Sequence, residues 1–152
     1  MNEEQQRHLD ELERNGIEQV QKMCESHGLI FKQTNTEHRA YDCFILNPVT
    51  GKTSICEIKN RFNADKYDTL YMEVDKLERL LKWKDYYESN KAFYINVVEK
   101  KIYIFEIDNS TINKYKPVKK WMNSETYKST TNKTMKEVIE LPKKDAKIIY
   151  CN

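Results

Sequence analysis

Asp42, Glu57 and Lys59 are the residues whose types and spacing could carry chemistry. Between them, Asn47-Pro48-Val49-Thr50-Gly51-Lys52 has the composition of a turn, and residues 40–46 and 53–59 on either side alternate like half-buried strands. If this hairpin is symmetric about its turn, Leu46 faces Thr53, and counting back along both strands places Asp42 across from Glu57. Period-two alternation sets Glu57 and Lys59 on that same face. Directly opposed side chains have Cβ atoms roughly 4.5–5.5 Å apart, a separation at which two like charges repel. A cation between them resolves the conflict. Mg²⁺ and Mn²⁺ are hard ions that take oxygen ligands, commonly one or two carboxylates with waters and a substrate phosphate. Lys59 directs its ammonium to the same side, where it could hold an attacking water or a phosphate oxygen. A solvated sheet face with ordinary ion pairs would account for the same three residues without any chemistry.

Other elements must position that hairpin. Apolar residues at Leu9, Leu12, Ile17, Val20, Met23 and Cys24 follow helical spacing and predict a first helix that ends near Ser26, before Gly28. Gly16 interrupts it, and Asn15 with Glu18 could cap a second start there, so a broken or late helix stands as an alternative to an unbroken one. Leu29 to Phe31 suits a short strand. Asp75 with Glu78 reads as a capping box for a second helix whose apolar face is Leu77, Leu80, Leu81 and Tyr87. Residues 92–98 and 102–107 are rich in β-branched and aromatic side chains and form a second hairpin about Glu99-Lys100-Lys101. Residues 109–133 read as a long polar loop anchored by Trp121, Met122 and Tyr127, with late strands at 136–141 and 147–151.

On the other face of the first hairpin the same register pairs Cys43 with Cys56, beside Ile45, Ile58 and Tyr41, and that face is read as core. Cys24, Cys43, Cys56 and Cys151 show no CxxC pair, which argues against structural zinc and suits a reducing compartment.

The order of elements, with Asp42, a turn and then Glu57-Ile58-Lys59, resembles the PD-(D/E)xK nuclease superfamily, within it the small Holliday-junction-resolvase-like and phage-type nucleases. The resemblance spans roughly residues 3–108 and implies an α/β fold: a restriction-endonuclease-like αβββαβ core with a mixed, curved sheet flanked by helices. It further implies that Asp42 and Glu57 bind the Mg²⁺ or Mn²⁺, that the Ile58 carbonyl completes the metal site, and that Lys59 positions or activates the water. Tyr41 stands where the family's proline precedes the aspartate. Related enzymes often add a glutamate from the first helix; Glu13 lies within the apolar stripe and is preferred here, whereas Glu18 projects nearly opposite. The implied activity is metal-dependent endonucleolytic hydrolysis of DNA, with branched or junction DNA as one class of substrate, and by analogy a homodimer is expected.

The 152 residues suit one domain, a nuclease core followed by a Lys-rich extension from 109 to 152. Residues 1–37 hold eight Asp/Glu against four Lys/Arg, and residues 109–152 hold ten Lys against four Asp/Glu, so one end carries −4 and the other +6. That asymmetry favours a polyanion partner more than the overall +2 does. Arg61, Lys66, Lys76 and residues 114–120 are candidate phosphate contacts, and Tyr71 and Trp121 candidate stacking surfaces. His38 and Arg39 could reach the substrate too, although supporting the turn is their simpler role. No membrane-length apolar run or signal-peptide core is present, so a cytoplasmic protein is expected. The rival readings are a catalytically silent nucleic-acid-binding module of the same fold and a protein-interaction factor.

Overall fold

The computed structural model describes residues 2–34, 42–61, 64–123 and 133–151. Helix α1 (Glu3–Ser26) is unbroken and starts from a capping box between Asn2 and Gln5. The alternative of a break or late start at Gly16, with Asn15 as its cap, is therefore excluded. Gly16 is buried because a strand crosses there: a Cβ at this position would lie 3.1 Å from the Cβ of Asn60. The glycine is an inter-element contact, not a helix boundary.

Strands β1 (Ile30–Gln33), β2 (Cys43–Leu46) and β3 (Thr53–Asn60) form an antiparallel meander. Strand β4 (Thr69–Glu73) runs directly into helix α2 (Val74–Tyr86). Glu73 is the N-cap of α2 and makes no side-chain cap bond, so the expected Asp75 box is also corrected: Asp75 lies in the first helical turn, where a carboxylate favours the helix dipole. The hairpin of β5 (Lys91–Val98) and β6 (Lys101–Ile107) follows, turning at Glu99 with φ 57°. A short helix, α3 (Thr111–Lys114), precedes β7 (Val118–Asn123), β8 (Lys133–Pro142) and β9 (Lys147–Tyr150).

The large sheet has the order β1-β2-β3-β5-β6-β9 and is mixed: β3 and β5 are parallel, and the other pairs are antiparallel. A smaller sheet has the order β4-β8-β7. The predicted long loop thus contains α3 and β7. Its polarity conceals a strand because β7 pairs on one side only, with β8, and has little apolar surface to bury.

Each face of the large sheet has its own core. Ile17, Val20, Met23 and Cys24 of α1 pack on Cys43, Ile45, Cys56 and Ile58, the face on which the cysteines were expected. Leu77 and Leu80 of α2 pack on the opposite face, together with Ile55, Tyr94, and Ile139 and Leu141 of the small sheet. Tyr41, placed in that first core by alternation, lies outside the described residues, as do His38, Arg39 and Tyr127.

Candidate active site

The β2–β3 register pairs Leu46 with Thr53 and Cys43 with Cys56, as the symmetric turn requires. Asp42 is one residue before β2, and the ladder changes there. Its N–H donates to the Cys56 carbonyl at 2.8 Å, while its carboxylate Oδ2 accepts the N–H of Ile58 at 2.6 Å. The Asp42 side chain is therefore tied to the backbone between Glu57 and Lys59, and only 8% of its surface is exposed.

Because Cys56 and Ile58 face α1, alternation turns Glu57 and Lys59 toward α2 and the small sheet. That side is no open sheet face. Lys76, in the first turn of α2, lies 3.8 Å from Glu57 and 3.6 Å from Glu73. Lys136 of β8 meets Glu73 at 2.7 Å. Burial alone would raise the Glu73 carboxyl, but the hydrogen bond from Lys136 and the charges of Lys76, Lys136 and Lys59 outweigh it and hold the group below its usual range. Burial, and the Lys59 charge beside it, press the Lys76 ammonium below its ordinary value, against the pull of Glu57 and Glu73.

A cavity of about 280 Å³ opens over this cluster, with Lys59, Glu73, Lys76, Lys120 and Lys133 in its lining. Arg61 also borders it but is internally engaged: its guanidinium donates to Asn96, the Tyr71 carbonyl and the Tyr94 hydroxyl at 3.1, 2.7 and 2.6 Å. The Tyr71 ring carries Arg61 and Lys120, each 4.3 Å from its centroid, so this predicted stacking surface is already covered by cations. Lys76, Lys120 and Trp121 reach the cavity; Lys66 and Lys114 do not line it.

Glu73 and Lys136 are the members of this cluster that sequence reasoning missed. The alternation of Leu70 and Met72 with Tyr71 and Glu73, which sets the latter two on the cavity side of β4, was the available signal for Glu73. Glu13 is exposed, on the turn of α1 where the Asn60 amide donates to the Leu12 carbonyl at 2.9 Å, beside the end of the Glu57–Lys59 strand. Glu18 is also exposed.

The donor chemistry fits a hard divalent ion. Asp42 and Glu57 offer carboxylate oxygens at neighbouring points of β3, and two carboxylates are what Mg²⁺ commonly takes from protein before waters and phosphate complete its shell. Among the described residues no group of three or more His, Cys, Asp or Glu is gathered around one point.

A helix, a three-stranded meander, a second helix and a strand parallel to the meander's last make up a restriction-endonuclease-like fold. Among solved structures the chain is similar to Hjc, a Holliday junction resolvase from the archaeal hyperthermophile Archaeoglobus fulgidus. The TM-score is 0.56 at 11% identity, over 85% of this chain and 87% of that one, a likeness of fold. No protein-family profile and no curated protein sequence matches the chain. Among the described residues no helix is long and apolar enough to cross a membrane.

Proposed function

We propose that this protein is a Mg²⁺- or Mn²⁺-dependent endonuclease that hydrolyses DNA phosphodiester bonds, with branched or junction DNA among its substrates. The observation that supports the reading is the tie between the Asp42 carboxylate and the Ile58 N–H, between Glu57 and Lys59, the latter a residue that lines a cation-rich cleft. The likeness of fold to a Holliday junction resolvase supports it.

In this reading Asp42 and Glu57 would hold the divalent ion, with the Ile58 carbonyl as a further oxygen. Such an ion, when bound, would polarise the phosphoryl oxygen and lower the pKa of its water. Lys59 orients the attacking water or a non-bridging phosphate oxygen. Lys76 balances Glu57 until substrate arrives and then neutralises phosphate charge, with Glu73 and Lys136 fixing its position. Glu13, next to the Leu12 carbonyl that meets Asn60 at the end of β3, is assigned to the water side of the site. Two copies of the chain would address two strands.

The test is cleavage of labelled duplex, branched and single-stranded DNA with Mg²⁺ or Mn²⁺, comparing the native chain with Glu57→Gln and with an EDTA control. Metal-dependent cutting should fall at least about a hundredfold in the variant, the scale on which losing transition-state stabilisation acts. Binding without cutting of any substrate would identify a silent binding module instead.

A further inference from the structure

Strand β8 has two halves with different surroundings. Val138 to Pro142 pair with β4, and their Val138, Ile139 and Leu141 side chains are buried. β4 stops at Glu73, opposite Val138, so from Glu137 back to Lys133 the sheet continues as a two-stranded ribbon of β8 and β7. A ribbon of this kind gains little stability from its own pairing. It nevertheless exposes two large apolar side chains, Trp121 at 59% and Met135 at 54%. They are register partners, side by side on one face. On that same face the register sets Lys119 and Lys133, against one carboxylate, Glu137, while Lys120 projects from the other face. The ribbon is also one wall of the cleft, since Lys120, Trp121 and Lys133 line the same cavity as Lys59.

We propose that this ribbon is a docking surface for an unpaired nucleotide of the DNA strand whose backbone enters the cleft, with the Trp121 indole as stacking platform. The surrounding charge selects a polyanion over a protein face. An aromatic ring amid lysines is the combination that binds unstacked strands, because every base has a π face and each phosphate a charge to meet. In continuous duplex those base faces are covered by their neighbours, so the indole gains a partner only where a base has left the stack. The proposal rests on the nuclease reading for the identity of the polymer and adds the feature of the substrate that is recognised: an unpaired position beside the phosphate in the cleft.

The experiment is binding in EDTA, where nothing is cut, by fluorescence anisotropy of labelled DNA. A fully paired duplex is compared with the same duplex carrying an unpaired bubble, for the native chain, Trp121→Ala and Trp121→Phe. The native protein should prefer the bubble. Trp121→Ala should weaken bubble binding by roughly 5- to 100-fold and duplex binding by less than about twofold, with Trp121→Phe retaining most of the preference. Equal loss on both DNAs, or loss on neither, overturns the proposal. So does a fall in solution mass on Trp121→Ala, which would make the patch a seam between copies of the chain. Loss of the nuclease reading, seen as cutting that survives Glu57→Gln, leaves this binding result standing.

Discussion

A single carboxylate does two jobs at Asp42. It is one of the charged groups assigned to the site, and its Oδ2 replaces the strand ladder as acceptor for the Ile58 N–H. Asp42→Ala leaves that buried donor unmet and should cost about 1–3 kcal/mol in denaturant unfolding. Asp42→Asn keeps an accepting oxygen and should stay within about 1 kcal/mol of the native chain while abolishing metal-dependent cutting. Glu73 gives a pH signature. Its folded pKa is depressed, so it contributes stability above the unfolded value of about 4.3, and that contribution is lost as pH falls through the lower folded value. In thermal melts the native chain should exceed Glu73→Gln at neutral pH, and the gap should close below about pH 4. The β2–β3 register and the shared face of Glu57 and Lys59 were legible in the sequence because a turn and a period of two suffice to align them, whereas the departure of Asp42 from that register was not. Lys136 was not, because no local pattern brings residue 136 to residue 73; long-range pairing of β4 with β8 does.

At the scale of elements, the first hairpin, the second hairpin and α2 were readable from periodicity. The failures share a cause. Gly16 looked like a helix break because its reason lies on another element, in the backbone and Cβ of Asn60. β4 is only five residues and abuts α2 without a turn, so punctuation was absent. The Gly16 contact is testable: Gly16→Val must push α1 off β3 and should destabilise by about 1–3 kcal/mol in urea unfolding, the usual cost of overpacking. Because Asn60 follows Lys59 directly, the same variant should also lower cleavage while leaving DNA binding near native.

Across the whole molecule, the charge asymmetry anticipated where cations would gather, though not that the small sheet would carry them to the cleft. Lys59, Lys120 and Lys133 at its rim predict a salt dependence. With about three phosphates neutralised, log affinity for duplex should fall against log salt with a slope of about −3, and Lys120→Gln should reduce it by about one. The parallel pairing of β3 with β5 and the late arrival of β8 have a further consequence, in the order of folding. The acid pair belongs to a local hairpin that can close as soon as residue 60 is made, whereas the lysine that anchors Glu73 lies 63 residues further along the chain from Glu73. Non-local pairings of this kind form slowly, and synthesis proceeds from the N-terminus. A chain emerging from the ribosome therefore has Lys59 and then Lys76 available to Glu57 well before Lys136 can reach Glu73, and its cleft is completed by the last third of the polypeptide.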